Sequence, residues 1–426
     1  MKITMFTNTY LPHIGGVARS VSTFAEALEE RGHAVQIIAP TFHDMGREVG
    51  QNVVRVPALQ NFNGSDFSVR IPLPGIIGEA INDFAPDIIH SHHPFLLGDA
   101  ALRMARAFNL PLIFTHHTLY ERYTHYVPLD SAALKRFVIE LATGYANLCN
   151  QVIAPSTSVK NLLLHRGVKT AIRVLPTGVD VDFFAGGDGR GFRVRNQIAP
   201  ETRVIGHIGR LAREKNLPYL AKAVAEAIHQ KPGSCFLVAG KGDAEREIRE
   251  IFASRNLSDR LILLGNLSGN DLADCYAAMD IFAFASQSET QGLVLVEAMA
   301  ASTPVIALSA SGVDDVLENG QNGAMLAANA STDDFAAALL MALNNPGQLA
   351  SWRARSMDTA RQFSTEACTD KLVDLYHQTL LQGEPPHSFE MEILDMAIMA
   401  IKAEWELLQE KTVAALHSLF EDEEKK

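Results

Sequence analysis

From its first residues to about residue 380 the chain alternates short apolar runs with amphipathic helical stretches, and this rhythm narrows the fold more than any other feature. The first half reads "KITMFT", "SVSTFAEALEERG", "AVQIIAP", then "PDIIHSH", "ALRMARAFN", "PLIFTHH" and "QVIAPS". The second half repeats it with "RVIGHIGR", "LPYLAKAVAEAIHQ", "CFLVAG", "EREIREIFASR", "LILLG", "DIFAFAS" and "PVIAL". Strand, helix, strand in this order implies parallel strands whose connecting helices cover both faces of a sheet. At 426 residues the chain also exceeds what one hydrophobic core usually supports. We therefore expect two doubly wound α/β domains, residues 1–190 and 191–384. A Gly-rich, charged linker near 184–200 would join them, and a helical segment would occupy 385–426. The last helix of the second domain is a candidate to cross back onto the first.

In such sheets ligands bind beyond the carboxyl ends of the strands. The chemically distinctive residues fall there. Gly15-Gly16 follow the first strand, His90-Ser91-His92-His93 follow "PDII", and Thr115-His116-His117-Thr118 follow "PLIF". Gly209-Arg210 follow "VIGHI", Gly240-Lys241-Gly242 follow "FLVA", and Glu289 follows "IFAFAS". A cleft between two facing domains would collect them.

The stretch "SETQGLVLVEAMA", residues 288–300, carries two glutamates around an apolar run. Gly292 argues for a loop ending there and a helix beginning at Leu293, whose unpaired N–H groups and positive dipole end attract anions. Glu289 then sits in the loop and Glu297 one turn inside the helix. In "GRLAREKN", residues 209–216, Arg210 and Lys215 are suited to neutralise a diphosphate, Arg by forked hydrogen bonds and Lys as a point charge. Glu297 suits a ribose, since a carboxylate accepts from two neighbouring hydroxyls. Glu289 would meet the next polyhydroxylated group. Gly15 and Gly16 in "PHIGGVARS" leave the backbone bare for a phosphate, or simply form a tight turn.

Other features read more plainly. No acidic residue stands at a metal-ligand spacing from His90, His92, His93, His116 or His117, so hydrogen bonding to a sugar or phosphate is the better use of these imidazoles. Asp180 and Asp182 of "DVD" follow "LPTG" and read as turn residues, and "GGDGRG" at 186–191 as a flexible linker. The loop "THHTLYERYTHYVP", residues 115–128, gathers Tyr120, Tyr123, Tyr126, His116, His117 and His125. Such residues serve an amphiphilic ligand or simple packing.

Composition excludes several classes. A net charge of −12 disfavours nucleic acid. The charge is uneven: residues 1–195 hold 18 Lys and Arg against 16 Asp and Glu, and the remainder 19 against 33. The more basic first half could rest on an anionic membrane. No run approaches the ~18 apolar residues of a membrane span, and "MKITMFTNTY" reads as a strand, not a signal segment. Cys149, Cys235, Cys275 and Cys368 are scattered, as for reduced thiols of a cytoplasmic protein.

Assembled, these motifs resemble the retaining glycosyltransferases of family 4, over about residues 1–380. The likeness rests on "YLPHIGGVARSV", "PDIIHSHHPFLLG", "PTGVD", "GRLAREKN", "GKGDAEREI" and Glu289-x7-Glu297 followed by "AMAASTPVIA". The resemblance implies the GT-B fold and a nucleotide-diphosphate sugar as co-substrate, with no metal and no other cofactor. It implies donor binding by Gly15, Gly16, Arg210, Lys215, Glu289, Gly292, Leu293 and Glu297, with Glu289 on the donor sugar, Glu297 on the ribose, and Arg210 and Lys215 on the diphosphate. His117 matches the acceptor-side histidine, and His92, Tyr120, Tyr123 and His125 join it on that side. Within the family, "THHTLYERYTHYVP" and "SETQGLVLVEAMA" look like the diacylglycerol glucosyltransferases, which use a UDP-sugar at the cytoplasmic membrane face. The sequence departs from the family pattern at "SGVDDV", residues 311–316, and at "AMAAST", both near the donor side.

The implied reaction moves a hexose, with UDP-glucose the expected donor, to diacylglycerol or a related lipid. Closure of the domains would exclude water and align the acceptor. A sugar-nucleotide epimerase and an inactive nucleotide-sugar-binding protein are the alternatives. In the tail, Leu394, Ile398, Ile401, Trp405, Leu408, Thr412, Ala415 and Leu419 are spaced as a coiled-coil seam, for packing on the chain itself or for a homodimer through 387–426.

Overall fold

The computed structural model describes residues 1–12, 15–41, 52–59, 69–70, 74–122, 131–287 and 289–382. They form two compact units. The first comprises Met1–Gly178 together with the chain from Cys368 onward, the second Val179–Ala367.

The strands of the first unit are β1 (Lys2–Phe6), β2 (Ala34–Pro40), β3 (Asn52–Val56), β4 (Ala58–Leu59), β5 (Val69–Arg70), β6 (Ile88–Ser91), β7 (Leu112–Thr115), β8 (Gln151–Ala154) and β9 (Ile172–Val174). Seven form a parallel sheet in the order β3-β2-β1-β6-β7-β8-β9, while β4 and β5 make a small antiparallel pair. The second unit contributes β10 (Arg203–Ile208), β11 (Ser234–Ala239), β12 (Leu261–Leu263), β13 (Ile281–Phe284), β14 (Val305–Leu308) and β15 (Gly323–Leu326). Their order is β12-β11-β10-β13-β14-β15, again all parallel. The central strands are apolar and almost wholly buried, β11 along its entire length, because helices cover both faces.

In each of these parallel sheets two strands are laid outward from the first, and the chain then returns to build the other side. The direction reverses between β1 and β6 and between β10 and β13, where Phe6 pairs with Ser91 and Gly206 with Phe282. Two helices cannot fill the same space above such a reversal, so a crevice opens at the carboxyl ends of those strands. The expected pair of Rossmann-like sheets is thus present.

The division differs from the expected one. The second unit begins at Val179, not near 191, and the stretch read as a linker is folded. Asp180 caps the helix Val181–Ala185 through Phe183 N–H, at 2.9 Å, and Asp188 caps the helix Gly189–Arg195 through Gly191 N–H, at 2.8 Å. The glycines of "GGDGRG" are there for close approach. A Cβ on Gly187 or Gly189 would lie 2.5 or 2.2 Å from the carbonyl oxygens of Ala273 and Ala277. Arg193 then ties the segment to Asp280 at 2.9 Å, and this buried carboxylate also receives Arg203 and Arg353 at 3.2 Å and Val204 N–H at 2.9 Å.

The helix Thr365–Gln382 ends the described chain, and from Cys368 it belongs to the first unit. Cys368, Leu372, Leu375 and Tyr376 are buried there in one core with Ile3, Met5, Val21 and Ile88. All four cysteines are buried thiols. The segment 385–426, with its heptad-spaced apolar residues, lies outside the described residues. No helix among those described is long and apolar enough to cross a membrane.

Candidate active site

In the second unit the loops after β10 and β11 are stitched backbone to backbone. Gly209 N–H bonds Ala239 O at 3.0 Å and Leu211 N–H bonds Lys241 O at 2.9 Å. Only glycine permits this, since a Cβ on Gly240, at φ 142°, would lie 1.9 Å from Gly209 O. The stitching fixes "GRLAREKN" where β10 ends. Arg210, half exposed, pairs with Glu214 at 2.5 Å. Lys215 pairs with Glu289, whose side chain is only 16% exposed against 19% for Lys215. The sheltered lysine and the first glutamate of the motif therefore meet directly.

The helix after this loop begins where expected, Leu293–Ala300 behind Gly292 in the left-handed region at φ 76°. No side chain caps it, which leaves its N-terminal N–H groups available to an anion. Gly312 packs over the same turn, where a Cβ would fall 2.7 Å from Gln291 N. Leu293 packs on the core of the unit. Glu297 is 1% exposed and accepts from Tyr276 OH at 2.7 Å. The two glutamates thus hold different partners, Lys215 and Tyr276.

His207, Glu214 and Tyr276 were not singled out in the sequence. His207 stands on β10 two residues before Gly209 and is buried. Its Nδ1 lies 3.1 Å from Ala283 O. A carbonyl only accepts, so the proton is on Nδ1. Burial pushes this imidazole down to about 4, with Lys215 and Glu289 also acting on it. A polar residue inside the apolar run "RVIGHI" was the available signal.

Gly15 and Gly16 lie in the first unit. Gly15 is extended at the start of the helix Gly16–Glu30, again with no side-chain cap, and a Cβ on Gly16 would meet nothing within 4 Å. The same reversal point gathers the histidines. Asn8, just past β1, donates its backbone N–H to His93 Nδ1 at 3.1 Å and accepts Leu97 N–H at 3.0 Å. His90 is fully buried, with Tyr376 OH and Thr115 OH each 2.7 Å from one ring nitrogen. His92 Nδ1 lies 2.9 Å from His117 Nε2, the two rings stacked 5.2 Å apart. Burial pushes His90 and His93 down to about 3 and His116 to about 4, and holds His92 and His117 well below the usual imidazole range. All five are neutral at pH 7.

Among the described residues no group of three or more His, Cys, Asp or Glu side chains is arranged to hold a metal. The Tyr120 ring packs edge-on against Phe95 at 5.1 Å and His116 at 5.8 Å. Burial raises its phenol well above the usual range. Beside it, Glu121 and Arg166 form a sheltered ion pair at 2.7 Å. Tyr123, His125 and Tyr126 lie outside the described residues.

Residues 14–183 match the family described as Glycosyltransferase Family 4, and residues 190–359 that described as Glycosyl transferases group 1. The alpha-monoglucosyldiacylglycerol synthase of Streptococcus pneumoniae is 31% identical over 350 residues, which cover 80% of this chain and 78% of that one. The chain is a family 4 glycosyltransferase. Another relative of this glycosyltransferase is the GDP-mannose-dependent alpha-mannosyltransferase of Corynebacterium glutamicum, 30% identical over 336 residues and 76% of each chain. Anabaena HepE, solved in complex with UDP-glucose, has a TM-score of 0.70 at 20% identity, covering 89% of this chain and all of that one. At that identity the likeness concerns the fold, which is GT-B, with one Rossmann-like domain for each sheet of the glycosyltransferase.

Proposed function

We propose that this glycosyltransferase moves glucose from UDP-glucose to a hydroxyl of diacylglycerol or a related membrane lipid, at the cytoplasmic membrane face, with retention at the anomeric carbon and without a metal. The Lys215–Glu289 pair beside Arg210 carries this reading. A sugar diphosphate brings a partner for each half of the pair. The diphosphate replaces Glu289 at the Lys215 ammonium, and the sugar hydroxyls replace Lys215 at the Glu289 carboxylate. Neither sheltered charge is then left unpaired. Arg210 and the uncapped N-terminus of Leu293–Ala300 complete the diphosphate site, and Glu297 takes the ribose.

As the bond between the anomeric carbon and the diphosphate oxygen breaks, the acceptor oxygen attacks from the same face. Its proton passes to the departing phosphate oxygen. Arg210, Lys215 and the helix end stabilise the charge that grows there, and His117 orients the sugar. The name of the Streptococcus pneumoniae relative supports glucose and diacylglycerol. That of the Corynebacterium glutamicum relative makes GDP-mannose the donor to test against UDP-glucose.

The test is nucleotide release from UDP-glucose and from GDP-mannose by purified protein, with and without diacylglycerol in anionic vesicles. Release from UDP-glucose that requires lipid and disappears in Glu289→Ala is the expected result. Release only from GDP-mannose would overturn the donor, and release indifferent to lipid the acceptor.

A further inference from the structure

His92 is completely buried, and its backbone N–H is spent on Phe6 O at 2.9 Å. Its Nδ1 faces His117 Nε2, and the rings lie within 21° of parallel. Its Nε2 is sealed from solvent and has no hydrogen-bond partner among the described residues. The neighbouring imidazole, His90, with its ring centroid 4.2 Å away, cannot supply one, since both its nitrogens are engaged by Tyr376 and Thr115. His117 is the less deeply buried member of the couple.

Both rings are neutral, so a single proton lies between the facing nitrogens, and there are two ways to place it. If His117 donates from Nε2, the proton of His92 sits on its own Nε2 as a buried N–H with nothing to receive it. If His92 donates from Nδ1, its Nε2 is a bare lone pair. An orphaned buried N–H is rarer than an under-used acceptor, which favours the second arrangement.

We infer that His92 is a positioning residue: it donates Nδ1–H to His117 Nε2 and so holds His117 in the Nδ1–H tautomer. His117 then meets the substrate as a hydrogen-bond donor to a sugar or acceptor hydroxyl oxygen, and takes no proton from it at Nδ1. This agrees with a mechanism in which the departing phosphate receives the proton, and it rests on the reading that His117 faces the substrate.

Two readouts separate the inference from that reading. The first is long-range 1H–15N correlation on full-length protein labelled at histidine, with His117 assigned by comparison with His117→Gln. A pyrrole-like Nδ1 and a pyridine-like Nε2 on His117 are expected, and the reverse pattern in the wild type overturns the inference without reference to turnover. The second is a pair of variants. In His92→Asn an amide N–H can still donate at the Nδ1 position, so tautomer and turnover should be kept within a few-fold. In His92→Asp a carboxylate only accepts, so His117 should switch to Nε2–H and kcat should fall about tenfold or more, as for loss of a positioned hydrogen-bond donor to the substrate. Equal losses in both variants would mark His92 as merely structural and overturn the inference. A tautomer that switches with no change in turnover would instead overturn the substrate-facing role of His117.

Discussion

Buried imidazoles govern how this protein responds to acid. His90 and His93 are held down to about 3, and His116 and His207 to about 4, by burial, against an ordinary value of about 6.5. Below pH ~6.5 the unfolded chain binds protons that the folded chain refuses. Their contribution to stability is therefore complete above that pH. It is lost on acidification at about 1.4 kcal/mol per pH unit for each histidine, until the folded values near 3–4 are reached. Chemical denaturation should give a midpoint that is flat from pH 8 to 7 and falls steeply between 6.5 and 5. A midpoint unchanged at pH 5 would contradict this. His207 lies inside its strand and was passed over in the sequence. The positions of His90, His93 and His116 were legible, because polar groups at the ends of apolar strand runs can only face a crevice or a neighbour. Their partners were not. Glu297 sat in the sequence as a charge awaiting a ligand, and only the packing of the helix Asn270–Ala277 brought Tyr276 OH against it.

Among elements, those with a local signal could be read. The helix at Leu293 announces itself by a glycine before an apolar run, and it begins there. The glycines of "GGDGRG" have the opposite history. Spaced glycines signal flexibility or close approach equally well, and the choice depends on whether another helix lies against them. Here Ala273 and Ala277 do, and the stretch is a packed shoulder of the second unit. Asp280 secures that shoulder, receiving Arg193, Arg203, Arg353 and Val204 N–H. Asp280→Ala should cost roughly 2–4 kcal/mol, less than the ~5 of fully buried pairs because Arg203 and Arg353 reach solvent. Asp280→Asn, which keeps the acceptor for Val204, should cost less than Ala in urea denaturation. Equal costs would mean that the charge alone matters.

At the scale of the molecule, two sheets of the same winding order were visible in the alternation of the sequence, because strands buried on both faces cannot disguise their apolarity. The boundary was not, since it falls in a short irregular stretch before Asp180, where Val179 forms a β-bridge with Ser364. The first unit is also discontinuous: its core takes Tyr376 from a helix almost 200 residues beyond Gly178. Tyr376→Ala should cost about 3–5 kcal/mol, as for other large buried aromatics, and should act on one unit only. Hydrogen exchange should lose protection in β1 and β2 while β10 to β14 keep theirs. Loss in both sheets would refute the division.

The same discontinuity bears on how the protein is made. A ribosome delivers the first sheet long before the helix that closes it. At ~5–20 residues per second, some 200 residues of further synthesis take roughly 10–40 s. Through that interval the apolar seat formed by Ile3, Met5, Val21 and Ile88 lacks its cover. The second unit, contiguous in the chain, can finish folding first, so the half that is synthesised earlier is the half completed last.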